Sequence, residues 1–150
     1  MKKKIIVAGG NGQLGNCLKK IAPDFELDYE FVFTDSKTLD ITDEDLVTKF
    51  FAEEKPDFCI NASAYTAVDL AEQEREKAFA VNADGVENLA KASADSDAVF
   101  IHVSTDYVFD GETNLDYSED DFTNPIGVYG ESKLAGEERA LDVNPKTVIL

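Results

Sequence analysis

The stretch Ile5-Ile6-Val7-Ala8-Gly9-Gly10-Asn11-Gly12-Gln13-Leu14-Gly15 restricts the fold more than any other part of the chain. Its opening is a continuous apolar run rich in β-branched residues, which suits a strand buried on both faces of a parallel sheet. Gly9, Gly12 and Gly15 follow at three-residue spacing, and Leu14, Leu18 and Ile21 then recur with a helical period. Read from Gly10, the same residues satisfy Gly-x-Gly-x-x-Gly. Strand, glycine turn and helix, in that order, make a dinucleotide-binding site. Glycine lets the chain turn tightly and lets its backbone approach a pyrophosphate closely. The first helical residues, Gln13, Leu14 and Gly15, then aim unpaired N–H groups at the phosphates. Gly-rich turns also end strands in proteins that bind nothing. The strand before this one and the helix after it favour the cofactor reading.

Strand and helix patterns alternate along the rest of the chain. Strands are expected over 4–8, 30–34, 57–61 and 98–104, with a fifth beginning near Lys146. Helices are expected over 12–21, over 43–54 with Thr42 as N-cap and Pro56 as the stop, over 73–94, and over 128–141. The third of these carries Ala78, Val81, Val86 and Leu89 on its apolar face. Residues 62–71 read as a loop, and 106–126 as a long polar, acidic segment. Repeated right-handed βαβ units imply an α/β fold, a doubly wound parallel sheet of Rossmann type with helices on both faces. The run Thr147-Val148-Ile149-Leu150 reads as a buried strand reached just as the sequence ends. It predicts that these residues are the first half of a longer protein, with residues 1–150 as its NAD(P)-binding domain.

Acidic residues outnumber basic ones 31 to 14, a net charge of −17 over 150 residues. That argues against nucleic acid or an anionic membrane as a partner. An anionic nucleotide would have to be held by local groups against this field. Cys17 and Cys59 belong to no Cys-x-x-Cys pair or Cys/His cluster, so both read as reduced core residues of a cytoplasmic protein without a metal. The apolar run after Lys2-Lys3-Lys4 is too short for a signal peptide, and no stretch reads as transmembrane. The acidic segment Asp110-Gly111-Glu112…Asp116-Tyr117-Ser118-Glu119-Asp120-Asp121 lacks the spacing of a calcium loop. It reads as a solvated edge of the active site.

Several residues have the chemistry to complete such a site. Asp35 lies twenty residues after Gly15, at the tip of the second strand, where a carboxylate accepts hydrogen bonds from ribose hydroxyls. An ordinary loop aspartate is the competing reading. Asp35 favours NAD by repelling a 2′-phosphate, an effect that Lys37 partly reverses. Asp40 and Ile41 follow and are expected to line the adenine. Asn61, Ala62, Ser63 and Ala64 leave the third strand as small residues suited to lie against a cofactor. Tyr129 and Lys133 are four apart and share a helix face. An ammonium beside a phenol lowers a pKa that is otherwise about 10, so the pair can exchange a proton with a carbonyl or carbinol oxygen. Ser104 and Thr105 end the fourth strand, where parallel sheets hold ligands. Alternation points them to opposite faces, so only one should reach the reacting oxygen. His102, the only histidine, sits in an apolar strand and reads as a packed core residue.

These residues carry a resemblance. The chain is similar to the extended short-chain dehydrogenase/reductases and, among them, to the dTDP-4-dehydrorhamnose reductases. The blocks are 9–15, Leu39-Asp40-Ile41-Thr42-Asp43, Asn61-Ala62-Ser63-Ala64-Tyr65-Thr66-Ala67-Val68-Asp69, Val81-Asn82-Ala83, and Ser104-Thr105-Asp106-Tyr107-Val108-Phe109-Asp110-Gly111. The last runs from Tyr117 through Pro125 to Tyr129-Gly130-x-Ser132-Lys133-Leu134-Ala135-Gly136-Glu137. The glycine and Tyr/Lys motifs belong to the superfamily. The Ala-Tyr-Thr-Ala-Val-Asp and Thr-Asp-Tyr-Val-Phe-Asp-Gly blocks are more specific to the reductases.

The resemblance implies Thr105, Tyr129 and Lys133 as a catalytic triad, with NADH or NADPH as cofactor. Tyr129 would donate a proton to the C4 carbonyl oxygen of a dTDP-4-dehydro sugar. Lys133 would hold the nicotinamide ribose. Val68, Thr105, Asp106 and Tyr107 would contact the nucleotide-sugar. It further implies a second, substrate-gripping domain beyond these residues, magnesium only in that second half, and a possible homodimer of the full-length protein. Related dehydratases need Asp-Glu after the threonine, whereas Tyr107 follows Asp106 here, which favours a reductase over an epimerase or dehydratase. A non-catalytic relative, the regulatory β subunit of methionine adenosyltransferase, is the other alternative.

Overall fold

Five parallel strands form one sheet in the order β2-β1-β3-β4-β5. They are β1 (Lys3–Ala8), β2 (Tyr29–Thr34), β3 (Phe58–Asn61), β4 (Val99–His102) and β5 (Thr147–Ile149). The computed structural model describes residues 1–113 and 116–150. Two residues of the expected polar segment, 114 and 115, therefore lie outside the described residues. The fold class is the one expected, and each strand falls within two residues of its predicted start.

The sheet's two faces are covered unequally. Ile6, Ala8, Cys59 and Phe100 point to one side. There they pack with Val47 and Phe51 of α2 (Glu44–Glu54), Val86 and Leu89 of α5 (Gly85–Asp95) and Ala140 of α6 (Val128–Val143). Each fully buried Phe, Leu or Ile in this layer contributes about 1.5–3 kcal/mol relative to exposure. On the opposite side α1 (Gln13–Ile21) rests near β2, with Lys19 Nζ 5.5 Å from the centre of the Phe33 ring. The only buried residue of α1 is Gly15, and Leu14 and Ile21 stay exposed. Cys17 is exposed on this helix, contrary to the expectation of two core cysteines; Cys59 is buried. Helical period marks a stripe as apolar, but burial requires something to pack against it, and α1 has little. For the same reason β5 is not the buried strand expected. It pairs only with β4, and Val148 is exposed.

Two helices differ instructively from the pattern. α2 is capped by Asp43, whose Oδ1 accepts from Leu46 N–H at 2.9 Å, and not by Thr42. The Thr42 hydroxyl instead donates to Asp40 Oδ1 at 2.7 Å. A carboxylate at this end also meets the positive pole of the helix. Lys55, in the left-handed region at φ 50°, ends α2 one residue before Pro56. The helix expected over 73–94 is broken into α4 (Arg75–Phe79), a π-helical turn at Ala80–Asp84, and α5. In that turn Asn82 accepts from Tyr65 N–H at 2.8 Å and donates to Tyr65 O and to Ser132 Oγ, both at 3.0 Å. One wide turn thus ties the loop after β3 to α6. That segment, expected as a loop or short turn, ends in a single helical turn, α3 (Val68–Ala71).

The same turn approaches α6 so closely that only glycine fits. A Cβ on Gly136 would lie 2.0 Å from the Asn82 carbonyl oxygen, which is backbone and cannot swing away. Gly136→Ala is therefore expected to lose about 1–3 kcal/mol through overpacking. Urea unfolding measures it, and an unchanged midpoint would show that the two helices separate at no cost.

Candidate functional site

Two clefts open at the carboxyl ends of the strands. The first, about 390 Å³, lies over the glycine turn and is lined by Gly9 and Gly12, by Asp35, Asp40 and Ile41 beyond β2, and by Ala62, Ser63 and Ala64 beyond β3. Gly9 has φ +79°, and its Cβ would sit 2.6 Å from Ser63 N. Gly15 supports the turn from below, since its Cβ would lie 2.5 Å from Gly9 O. Gly12 differs. Its Cβ would meet only Gly9 O, at 3.3 Å, so the fold demands glycine least where a ligand would come closest. No side chain caps α1 at Gly12, and no acidic residue stands in its first turn. An uncapped helix start beside a glycine floor fits a dinucleotide pyrophosphate.

Asp35 is tied into its own loop, as the competing reading has it, and it also lines the cleft. Its Oδ1 accepts from the N–H groups of Lys37 and Thr38, each at 3.0 Å, and from the Thr38 hydroxyl at 3.1 Å. Those bonds, Thr38's first, hold its carboxyl below the usual range. The other oxygen accepts from Asn11 Nδ2 at 2.5 Å, and Lys19 Nζ donates to Asn11 Oδ1 at 2.8 Å. Asn11 lines the cleft and was not singled out in the sequence. Its place inside the glycine motif was the available signal. Of the other expected cofactor contacts, Gln13 and Leu14 stand exposed at the start of α1. Asn61 is buried beneath the cleft rather than lining it.

The second cleft, about 400 Å³, is lined by Val68, Asp106, Tyr107 and Tyr129, as expected, together with Tyr117 and Phe109, which the sequence reading left aside. Tyr107 and Tyr129 meet edge to face at 5.4 Å. Tyr65 of the first cleft and Tyr129 of the second pack on the same small cluster, Ala71, Ala78 and Val128, so the clefts adjoin there. Arg75 and Glu131 close an ion pair from α4 to α6, at 2.6 Å.

Thr105 and Tyr129 lie beside each other past the end of β4, whereas the Lys133 side chain turns to the sheet, which is not the arrangement the spacing suggests. The Thr105 side chain lies near enough to the phenol to favour its ionised form, while its hydroxyl accepts from Tyr107 N–H and donates to Asp106 Oδ1, each at 3.3 Å. Ser104 turns the other way and donates to Glu137, so alternation correctly separated the two hydroxyls. Burial pushes the Tyr129 hydroxyl above its ordinary range, Thr105 opposes this, and Tyr107 and Asp106 add to it. Lys133 does not lower it. The lysine is 1% exposed, and its Nζ donates to Val103 O at 2.7 Å and lies 3.3 Å from His102 Nε2. Burial lowers the Lys133 ammonium to about 8, against the pull of Glu137. Phenol and lysine share a helix face, yet the lysine reaches under the sheet. His102 is the buried core residue expected, and it also touches Lys133. Local spacing cannot reveal that contact, since its two residues are 31 apart.

A family model described as RmlD substrate binding domain matches residues 2–150. The chain belongs to this family. It is 44% identical to dTDP-4-dehydrorhamnose reductase of Aggregatibacter actinomycetemcomitans over 98% of its own length and 50% of the relative's. The structure of dTDP-4-dehydrorhamnose reductase from Bacillus anthracis in complex with NADP superposes with a TM-score of 0.94 at 40% identity, covering 99% of this chain and 52% of that one. The UDP-Glc/GlcNAc 4-epimerase of Campylobacter jejuni superposes at 0.83 with 26% identity, covering 98% and 52%. The chain thus spans about half the length of the relatives it matches. Among the described residues no helix is long and apolar enough to cross a membrane.

His102 makes the site sensitive to acid. Burial, with the charge of Lys133 second, lowers its imidazole from 6.5 to about 3. The unfolded chain therefore binds the proton first. Stability from this group is complete above 6.5 and is lost as pH falls from there toward about 3, at up to about 1.4 kcal/mol per pH unit. Glu137, whose carboxyl is raised by burial, works in the opposite direction. Unfolding free energies measured between those limits should fall more steeply in the native chain than in His102→Gln, and equal slopes would refute the assignment.

Proposed function

We propose that this chain is the NAD(P)-binding and catalytic half of a reductase that converts the C4 keto group of dTDP-4-dehydro-L-rhamnose to the alcohol of dTDP-L-rhamnose. The observation that carries the proposal is the junction of the two clefts. An uncapped helix start on a glycine floor adjoins a half-buried tyrosine that lies beside Thr105 and one helical turn from a buried lysine. The family match over residues 2–150 and the reductase relatives support the substrate class.

In this reading Gly9, Gly12 and the first N–H groups of α1 hold the pyrophosphate, and Asp35 accepts from the adenosine ribose. Asp40, Ile41 and the Ala62–Ala64 backbone line the adenine and the strand side of the cofactor. NADH or NADPH supplies hydride when bound. Tyr129 gives its proton to the carbonyl oxygen as charge develops there. A phenol kept protonated by burial suits that step. Thr105 bonds the same oxygen from the other side and orients it. Lys133 orients the nicotinamide ribose. Val68, Asp106 and Tyr107 line the sugar side of the second cleft. The relatives' remaining length supplies the grip on the dTDP group.

Two measurements test this. Titration calorimetry of the folded chain should detect NADH or NADPH without substrate. Gly12→Val should weaken binding at least about tenfold, or about 1.4 kcal/mol. A folded chain that binds neither cofactor ends the proposal. In a two-domain protein carrying these residues, Tyr129→Phe should lower kcat with dTDP-4-dehydrorhamnose about 10²- to 10⁴-fold. The 150 residues alone should turn over several orders of magnitude more slowly, because binding energy from the remote nucleotide orients the reacting carbon. A 4-keto-6-deoxy sugar made from dTDP-glucose would point to a dehydratase. Binding to a methionine adenosyltransferase without turnover would point to a regulatory subunit.

A further inference from the structure

The chain of contacts beneath the site fixes hydrogen positions that heavy atoms alone would leave open. Ser63 N–H donates to Asn61 Oδ1 at 3.0 Å, and the Ser63 hydroxyl bonds the same oxygen at 2.5 Å. A backbone N–H can only donate, so this identifies which end of the Asn61 amide is oxygen. The amide nitrogen must then face His102 Nδ1, 3.1 Å away. An NH₂ group can only donate, so Nδ1 carries the lone pair. With the imidazole neutral, its one proton is on Nε2. That N–H points at Lys133 Nζ, at 3.3 Å.

An ammonium at this position would set N–H against N–H, whereas a neutral amine offers its lone pair to Nε2–H and still donates to Val103 O at 2.7 Å. We propose that His102, locked by Asn61 as the Nε2–H tautomer, is a positioning residue for Lys133 that favours its neutral amine. This rests on Lys133 belonging to the catalytic set. The titratable groups that act on Nζ from the packed elements are His102 on β4 and Glu137 one turn further along α6. Glu137 favours the ammonium, so it opposes His102. On gaining a proton Nζ has no acceptor at Nε2 and keeps Val103 O as its partner. Burial brings the ammonium down to about 8, so the lysine exchanges its proton just above neutral pH.

One histidine in the sequence makes the test unambiguous. Imidazole ¹⁵N spectra of the chain should show protonated Nε2 and bare Nδ1 at neutral pH, with the Nε2 shift moving in one step as Lys133 titrates near 8. In His102→Gln, whose amide oxygen accepts from an ammonium, the Lys133 ¹³Cε midpoint should rise by at least about one pH unit, a tenfold gain in proton affinity. Asn61→Asp should move the proton to Nδ1 and raise the same midpoint, so it serves if the glutamine variant does not fold. An Nδ1–H tautomer in the native chain, or a Lys133 midpoint unchanged in a folded variant, would overturn the proposal. These readings need neither cofactor nor substrate. A chain with the expected tautomer that binds no NAD(P)H would refute the proposed function and leave this one standing.

Discussion

The hydrogen bond between Asn61 and His102 is what the site depends on. The parallel register sets Ala8, Asn61, His102 and Ile149 beside one another in a row across the sheet, at the end from which the ligand loops leave. Asn61 and His102 are both fully buried. A buried polar group without a partner costs about 1–3 kcal/mol, so neither could remain alone there. Paired, they free one further group each. Asn61 uses its oxygen to hold Ser63, which floors the first cleft, and His102 uses its far nitrogen to hold Lys133. A polar pair inside an otherwise apolar sheet thus reaches the loop that lines the first cleft on one side and α6 on the other. Among the described residues, no buried side-chain polar atom lacks a partner.

A second tie runs over the top of the first. Asn82 bonds the backbone of Tyr65 on both its polar sides and reaches Ser132 in α6. The π turn at Ala80–Asp84 lies where Asn82 makes these three bonds and where its carbonyl oxygen faces Gly136 of α6. It sets Tyr65 and Tyr129 on one apolar cluster, which brings the two clefts to a common wall.

This explains what was legible in the sequence. Strand and helix alternation was, because each strand is an apolar run and each helix has one apolar side. The glycine turn was, because only glycine meets its sterics at Gly9 and Gly15. Thr105, Tyr129 and Lys133 could be read from spacing and resemblance as one group. Lys133's actual partner could not be, since the contact to His102 forms only when β4 and α6 are brought together. The broken helix was hidden for the same reason, as the partners of Asn82 at the break lie in other elements. The cap of α2 was missed by one residue, between two neighbours both chemically fit for it. Burial of α1 and β5 was overestimated because an apolar pattern states what a segment would cover and not whether a cover is present.

For a chain of net charge −17 to hold a dinucleotide, as proposed, it must overcome its own field. Distance and geometry resolve the conflict. At physiological salt a charge is screened beyond about 8 Å, so most of the acidic surface contributes little at the glycine turn. Nearby, no acid stands in the first turn of α1, and the last turn carries Lys19 and Lys20. Two carboxylates line the cleft: Asp40, which accepts from Thr42, and Asp35, whose oxygens both already accept hydrogen bonds. Two backbone N–H groups and a hydroxyl take one oxygen, and the Asn11 amide, itself held by Lys19, takes the other. These donors draw the charge of Asp35 toward its own loop while leaving acceptor lone pairs for a ribose hydroxyl. The turn therefore presents backbone N–H groups to an anion within a strongly acidic molecule, and what admits the anion is the local arrangement of dipoles rather than the sign of the whole.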